Sequence, residues 1–214
     1  MVNYFVTRKY FYAIYGIIVS VLALLCFTIS KERLFFVANA NNSLFFDYFF
    51  YLITELGNTI TYIIVLVLSL FYSRRLTFML LLTLLISSIL AQGLKHFVFE
   101  EHLRPLAYFG DKFQIHHLSI SASLKMHSFP SGHTVSAFAL ATVLVGFLNI
   151  RKYDLLLLFI AILVAYSRVY LGQHFVEDVV FGSTIGVFSG VFSNRIFHDE
   201  SKFNKPLINR HPRK

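Results

Sequence analysis

The chain has 214 residues, of which 57% are hydrophobic and 14% are charged, and its formal net charge is +8. Such an apolar composition excludes an ordinary soluble domain and predicts an integral membrane protein. The basic residues border apolar runs and show no aromatic and basic groove pattern, so we expect contact with membrane lipids and no binding of nucleic acid.

Six runs with few or no charges are long enough to cross a hydrocarbon layer of about 30 Å. In chain order they cover residues 10–30, 56–73, 76–94, 134–150, 155–171 and 175–196. The fifth run contains Arg168 near one end and the sixth contains Glu177 and Asp178, and we expect these charged ends at the interface or in the bundle interior. The sequence thus predicts an all-α, integral membrane six-helix bundle.

The distribution of lysine and arginine residues predicts the orientation of this bundle. If the six runs alternate in direction, one side carries Arg8, Lys9, Arg74, Arg75, Arg151, Lys152 and the six basic residues within 195–214. The positive-inside rule makes that side cytoplasmic, so both termini are expected there. We interpret residues 1–214 as a single membrane domain, 97–133 as a noncytoplasmic loop and 197–214 as a basic cytoplasmic tail.

The first run and the segment after it have no predicted catalytic role. The apolar stretch of the first run is too long for a signal peptide, so we interpret it as a retained anchor. It contains Cys26, the single cysteine, which excludes an intramolecular disulfide. Aromatic residues are concentrated in 45–51, a pattern typical of a belt at the membrane interface.

Three short polar islands interrupt the apolar chain. Lys95 belongs to the first with Arg104-Pro105, Pro130-Ser131-Gly132-His133 forms the second, and Arg168, His174 and Asp178 form the third. Ionisable side chains are costly beside lipid and usually mark a functional site. The second and third islands are separated by two runs, so both return to the noncytoplasmic side and are expected to meet in one site.

The second island directly precedes the fourth run and therefore places Ser131 or Gly132 near a helix N-terminus. Free backbone N–H groups and the helix dipole favour an anion such as phosphate at that position. Taken alone, Pro-Ser-Gly also fits a simple turn and helix cap.

The third island combines a histidine, a carboxylate and a guanidinium within eleven positions. His174 and Asp178 are four residues apart, so a helix that begins near His174 places both on one face. Asp178 then accepts a hydrogen bond from one ring nitrogen and leaves the other free for nucleophilic attack. Arg168 suits phosphate oxygens. A structural histidine–carboxylate pair and a snorkelling arginine are the alternatives for the separate residues.

Taken together, the islands resemble the signatures of the type 2 phosphatidic acid phosphatase family, whose fold is shared with vanadium haloperoxidases and glucose-6-phosphatase. The second signature matches at Pro130-Ser131-Gly132-His133 and the third at Ser167-Arg168, His174 and Asp178. The first departs from the common pattern, because eight residues instead of six separate Lys95 from Arg104. A break in the helix between these two residues is therefore required, and we infer a two-residue loop insertion.

The resemblance implies hydrolysis of a lipid phosphate through a phosphohistidine, without a metal or other cofactor. The implied catalytic residues are His174 as nucleophile, Asp178 as its orienting partner and His133 as acid. The implied phosphate-binding residues are Lys95, Arg104, Ser131, Gly132 and Arg168. Candidate substrates are undecaprenyl diphosphate, phosphatidic acid, phosphatidylglycerophosphate and a lipid A phosphate, and we expect a bacterial inner membrane with the site on its noncytoplasmic face.

Two alternatives remain open at the level of sequence. The first is a metal-assisted hydrolase, because seven of the nine histidines lie in the segment from His96 to His174, including His102, His116, His117 and His127. Against it, the sequence has no His-Glu-x-x-His pattern. A phosphate- or lipid-binding transporter that does not hydrolyse its ligand is the second alternative. In the long loop, Tyr108, Lys112, Lys125 and His127 either contact the substrate or are solvated.

Overall fold

The computed structural model describes residues 8–110, 115–117, 125–148 and 150–198. Within these ranges the chain is all-helical and contains no β-strand. The helices are α1 (Lys9–Thr28), α2 (Lys31–Asn39), α3 (Leu44–Glu55), α4 (Thr59–Tyr72), α5 (Arg74–Gly93), α6 (Pro105–Phe109), α7 (Gly132–Leu148), α8 (Arg151–Tyr170) and α9 (Val176–Ile196). A π-helical turn, Leu94–Val98, continues α5.

Each of the six apolar runs contains a helix, but the helices differ in length. Four are long and apolar enough to cross a membrane unaided, namely α1, α5 with its π-helical turn, α8 and α9. Helix α4 reaches that length only together with α3, from which it is bent by 45°. Helix α7 is apolar but has 17 residues. By length and composition the described chain therefore has four candidate spans, or five if the bent pair is one span.

Helix α7 lies at the centre of the bundle and is buried on several sides. Its Phe138 packs with Phe11 of α1 and Val164 of α8 in one apolar cluster. Its Val143 packs with Met79 of α5 in a second cluster. A helix that is apolar all round is typical of a core position, and this position holds the first turn of α7 rigidly at one end of the bundle.

Three glycines bring α9 unusually close to α7. A Cβ atom added to Gly182 would lie 2.8 Å from the Ser131 carbonyl oxygen, and one added to Gly186 would lie 2.5 Å from the Val135 carbonyl oxygen. At Gly190 the nearest atom, Thr142 Cβ, would be 2.6 Å away. Small residues spaced by four positions allow such backbone contact between membrane helices. This contact fixes the start of α9 against the segment that leads into α7.

Two helices lie in the segment predicted to be a connection with an aromatic belt. Ser30 and Ser43 cap α2 and α3, accepting hydrogen bonds from the backbone N–H groups of Arg33 and Phe46. Helix α3 exposes Phe45, while Phe50 and Thr54 on its opposite face are buried. The aromatic residues thus belong to an amphipathic helix that packs on α8, because every third or fourth residue faces the same side.

Candidate active site

The turn between α8 and α9 forms one wall of the site. Gly172 adopts a left-handed conformation with φ of 69°, which favours glycine. The Arg168 carbonyl oxygen accepts hydrogen bonds from the backbone N–H groups of Gln173 at 2.9 Å and His174 at 3.2 Å. These hydrogen bonds place the backbone of His174 next to that of Arg168, at the C-terminal end of α8.

The carboxylate of Asp178 holds the imidazole of His174. Asp178 Oδ2 lies 3.2 Å from His174 Nδ1 and accepts a hydrogen bond from the Phe175 backbone N–H at 3.0 Å. Helix α9 begins at Val176, two residues later than the predicted helix start near His174. The contact is therefore a helix-cap arrangement, in which a carboxylate in the first turn reaches back to the preceding residues.

Both members of this pair are almost completely enclosed. His174 is 2% exposed and Asp178 is 1% exposed. Burial, followed by the positive charges of Arg104, Arg168 and Lys95, holds the pKa of His174 well below its usual range. The imidazole is therefore neutral at neutral pH. In the tautomer in which Nδ1 donates to Asp178, Nε2 carries the free lone pair.

The second island meets the third through the backbone. The Ser131 N–H donates to the Asp178 carbonyl oxygen at 3.1 Å, so it is already engaged and positions α7 against α9. Helix α7 begins at Gly132. The N–H groups of its first turn, which include those of Gly132 and His133, have no partner within the helix and carry its positive dipole end.

Arg168 faces the interior of the bundle and is only 7% exposed. Its Nη1 donates a hydrogen bond of 2.7 Å to Thr54 Oγ1 on α3. Its Nε is buried without a hydrogen-bond partner among the described residues. A buried guanidinium N–H without an acceptor is costly, and an anion placed beside it satisfies this donor.

Arg104 approaches the same site from the opposite loop. Its Nη1 donates to Gln173 Oε1 at 3.1 Å and its Nε donates to the Met126 carbonyl oxygen at 3.3 Å. It is the N-cap of α6 and has an extended backbone, as expected for a residue before proline. Burial lowers the pKa of its guanidinium, while the nearby Asp178 carboxylate acts in the opposite direction.

Lys95 lies in the π-helical turn after α5, and the chain is irregular between that turn and α6. The predicted break between Lys95 and Arg104 is thus present. Isolated π-helical turns accommodate an extra residue and often occur at functional sites. The charge of Lys95 acts on His174 together with those of Arg104 and Arg168, so the break returns Lys95 to the cluster.

His133 completes the cluster from the first turn of α7. Burial, followed by the charges of Arg168, His174, Arg104 and Lys95, lowers the pKa of its imidazole to about 3. Its carbonyl oxygen packs against Gly57, where an added Cβ atom would lie only 2.7 Å away. The structure thus brings Lys95, Arg104, His133, Arg168, His174 and Asp178 into one electrostatically interacting cluster, beside which Ser131 binds the Asp178 backbone.

His116, His127, Tyr108 and Lys125 have contacts with other parts of the described chain. His116 Nε2 and the Tyr170 hydroxyl both bind Asp47 Oδ1, at 2.6 and 2.7 Å. His127 Nδ1 lies 3.4 Å from the Lys95 carbonyl oxygen. Tyr108 donates to Glu32, and the Lys125 carbonyl oxygen accepts the Arg104 N–H. Lys112 lies outside the described residues, within which no three His, Cys, Asp or Glu side chains converge as metal ligands.

Sequence reasoning missed three residues that contact the site. Ser128 Oγ lies 2.5 Å from Asp178 Oδ2, Thr54 holds Arg168, and Gln173 holds Arg104. None of them belongs to a periodic or spaced pattern, since all three pairs join segments at least 50 residues apart in the chain. The one available signal was that a buried carboxylate and a buried guanidinium each require several polar partners, which the predicted residues alone do not supply.

Comparisons with known proteins agree with this geometry. A family model described as the PAP2 superfamily matches residues 74–202. The chain is 31% identical over 71 residues to a lipid A 4'-phosphatase from Porphyromonas gingivalis, in an alignment that covers 33% of this chain and 30% of that relative. The match thus spans less than a third of the relative's length.

Two solved structures are similar over most of their length. Aquifex aeolicus LpxE has a TM-score of 0.69 and 29% identity, covering 77% of this chain and 94% of that one. A transmembrane PAP2-type phosphatidylglycerolphosphate phosphatase from Bacillus subtilis has a TM-score of 0.60 and 25% identity, covering 94% and 99%. The resemblance inferred from the motifs is confirmed, and since the family model covers more than half of the sequence, the chain belongs to the PAP2 superfamily.

Proposed function

We propose that this integral membrane protein is a phosphatase that hydrolyses a phosphomonoester or diphosphate of a lipid through a phosphohistidine intermediate on His174. The observation that carries the proposal is the contact between His174 Nδ1 and Asp178, at 3.2 Å, within the electrostatic field of three cationic side chains. Anion binding alone does not require a histidine oriented in this way. The arrangement therefore favours phosphoryl transfer over the alternative of a non-hydrolysing transporter.

The first step transfers the phosphoryl group from the lipid to the enzyme. His174 Nε2 attacks phosphorus, and the bond from phosphorus to the lipid oxygen breaks. His133, whose pKa is about 3 in the free site, gains a proton when the anionic substrate binds, donates it to the leaving lipid oxygen, and is neutral again once phosphate has left. Asp178 accepts a hydrogen bond from Nδ1 and stabilises the positive charge that develops on the imidazole. The low pKa of His174 supports its role as nucleophile, because the ring enters the reaction unprotonated.

Cationic side chains stabilise the charge on the phosphoryl oxygens. Arg168 offers the buried Nε that has no partner among the described residues, and Arg104 and Lys95 add two more positive charges. The first-turn N–H groups of α7 add donors. Stabilisation of equatorial oxygens by fixed cations is the dominant contribution to phosphoryl transfer, so the proposed mechanism has no step that needs a metal.

The second step regenerates the enzyme. Neutral His133 accepts a proton from water, whose oxygen attacks phosphorus and displaces His174 Nε2. Inorganic phosphate leaves and the imidazole of His174 returns to its neutral form. Activity that survives exhaustive chelation of divalent metals is the expected result, and loss of activity that added metal restores would favour the metal-assisted alternative.

The proposed topology has six spans, with both termini on the cytoplasmic side and the site on the noncytoplasmic face of a bacterial inner membrane. Residues 1–214 form one phosphatase domain, in which 97–133 is the noncytoplasmic loop and 197–214 the cytoplasmic tail. This is supported by the meeting of the α5–α7 and α8–α9 connections at one end of the bundle. Arg74, Arg75 and Arg151 begin helices at the opposite end.

The proposed substrates are lipids with an anionic phosphate headgroup that enter laterally from the membrane. Undecaprenyl diphosphate, phosphatidic acid, phosphatidylglycerophosphate and a lipid A phosphate share this chemistry. The names of the Porphyromonas gingivalis and Bacillus subtilis relatives support this class. Rapid hydrolysis of soluble phosphate esters without preference for lipid forms would contradict lateral entry.

The direct test is phosphate release by purified protein from a panel of lipid mono- and diphosphates. We expect release by the wild type and none by His174→Ala, because no other group replaces the nucleophile. His198→Ala changes a histidine outside the site and is the matched control, expected to retain activity. Lipid-phosphate binding by a folded wild-type protein, with no phosphate released from any lipid, would instead support the transporter.

A further inference from the structure

One buried hydroxyl beside the catalytic pair has no part in the proposed reaction. Ser128 precedes the second island by two residues and is only 1% exposed. Its backbone N–H donates to the His102 carbonyl oxygen at 2.9 Å, which fixes the loop on which it lies. Serine is rarely enclosed so completely unless its hydroxyl has a partner.

That partner is the carboxylate of Asp178. Ser128 Oγ donates to Asp178 Oδ2 at 2.5 Å, the shortest contact that this oxygen makes with a described residue. The same hydroxyl lies 3.5 Å from His174 Nδ1. The serine therefore sits beside the hydrogen bond between carboxylate and imidazole and contacts both groups.

We propose that Ser128 is a positioning residue, whose hydroxyl fixes the Asp178 oxygen that receives His174 Nδ1–H. Asp178 Oδ2 has three donors from two segments of the chain: Ser128 Oγ from one, and the Phe175 N–H and His174 Nδ1 from the other. Loss of one of the three donors weakens the constraint on rotation of this carboxylate about its last side-chain bond. Rotation would misdirect the imidazole and with it Nε2, the attacking atom.

The hydroxyl also tunes how strongly Asp178 acts on the imidazole. A donor bound to Oδ2 withdraws part of the negative charge that otherwise favours protonated His174. Besides Asp178, the titratable and charged groups around His174 are Arg104, Arg168, Lys95 and His133; the three cations oppose its protonation, whereas a hydrogen bond to the Ser128 backbone favours it. Loss of the Ser128 hydroxyl therefore raises the pKa of His174, and the nucleophile becomes protonated at a higher pH.

The test is the kinetics of Ser128→Ala in the intact protein, with a lipid phosphate that the wild type hydrolyses. We expect kcat to fall by about 10- to 100-fold, the range for one hydrogen bond to a charged group, with KM within about twofold because the phosphate ligands are unchanged. We also expect the acidic limb of the pH–rate profile to move to higher pH. If the substitution only destabilised the fold, the yield or melting temperature of the variant would fall, but the acidic limb of its pH–rate profile would stay in place.

Ser189→Ala is the matched control, because Ser189 is also fully buried but donates to the Ile185 carbonyl oxygen within its own helix. It is expected to retain the wild-type kcat and pH profile. If Ser128→Ala does not yield folded protein, Ser128→Cys is used in its place. The thiol occupies a similar volume but is a weaker hydrogen-bond donor, so we expect a smaller fall in kcat and a smaller shift of the acidic limb.

A wild-type kcat in the Ser128 variant, or a reduced kcat with an unmoved acidic limb, would overturn the inference. The inference rests on the proposed phosphatase function, but the two fail differently. A wild-type protein that releases no phosphate refutes the function itself, whereas an active wild type with an unaffected Ser128 variant refutes only the positioning role.

Discussion

The close contact between α9 and the second island predicts that one added methyl group will disturb catalysis. In Gly182→Ala the new Cβ atom would lie 2.8 Å from the Ser131 carbonyl oxygen, where 3.4 Å is the lower limit of ordinary contact. The backbones must therefore separate by about 0.6 Å, the difference between these two distances. The Ser131 N–H donates to the Asp178 carbonyl oxygen, so the shift acts directly on the first turn of α9, which carries Asp178.

Since a misplacement of 1 Å costs about 100-fold in rate, we expect kcat to fall by roughly tenfold. Overpacking costs about 1–3 kcal/mol, and the better helix propensity of alanine offsets about 1 kcal/mol of it. The free energy of unfolding should therefore fall by about 0–2 kcal/mol. Phosphate release and thermal unfolding in detergent measure the two effects.

Gly16→Ala on α1 is the matched control. No atom lies within 4 Å of a Cβ added there, so only the propensity gain remains. We expect wild-type kcat and equal or slightly higher stability for this variant. If Gly182→Ala had the same kcat as Gly16→Ala, the tight α7–α9 contact would not control the geometry of the site.

Three further predictions follow from separate features of the molecule. Thr54→Val removes the hydroxyl that accepts a hydrogen bond from Arg168 Nη1. We therefore expect KM for the lipid phosphate to rise by about tenfold or more. An unchanged KM would show that Thr54 does not position Arg168. The pKa of His174 lies below the ordinary histidine value of about 6.5, so the nucleophile is still unprotonated at that pH. The acidic limb of the pH profile of kcat/KM should therefore lie below about pH 6.5. A limb at or above about pH 6.5 would contradict the assignment of His174 as nucleophile. Arg8→Met leaves buried Asp154 without the ion pair of 3.0 Å and should lower the stability of the fold by about 3–5 kcal/mol, whereas unchanged thermal unfolding would show that the pair is not needed.

Much of the helical architecture was predictable because apolar runs carry a strong signal in a membrane protein. All six runs contain a helix, with ends displaced by up to four residues. Helices α2 and α3 were not predicted, since Lys31 and Glu32 in one and the crowded aromatic residues in the other obscure any long apolar run. The spacing of Gly182, Gly186 and Gly190 did signal a close helix contact and was overlooked.

The candidate site was predictable where its chemistry is local in sequence. His174, Asp178 and Arg168 lie within one turn and two helix ends, so their spacing alone placed them together. Ser128 and Thr54 could not be found in this way, because their partners are 50 and 114 residues away along the chain. The prediction for Lys95 required a break before Arg104, and the π-helical turn with the irregular segment after it provides that break.

The central claim is that His174 attacks the phosphorus atom, and trapping the covalent intermediate tests it most directly. A lipid phosphate labelled at the phosphoryl group is mixed with excess enzyme and quenched in alkali within one turnover, and the labelled peptide is then mapped. We predict an acid-labile, alkali-stable phosphoryl group on His174 in the wild type and none in His174→Ala. Phosphate release without labelled protein, or a label that persists in His174→Ala, would contradict the account.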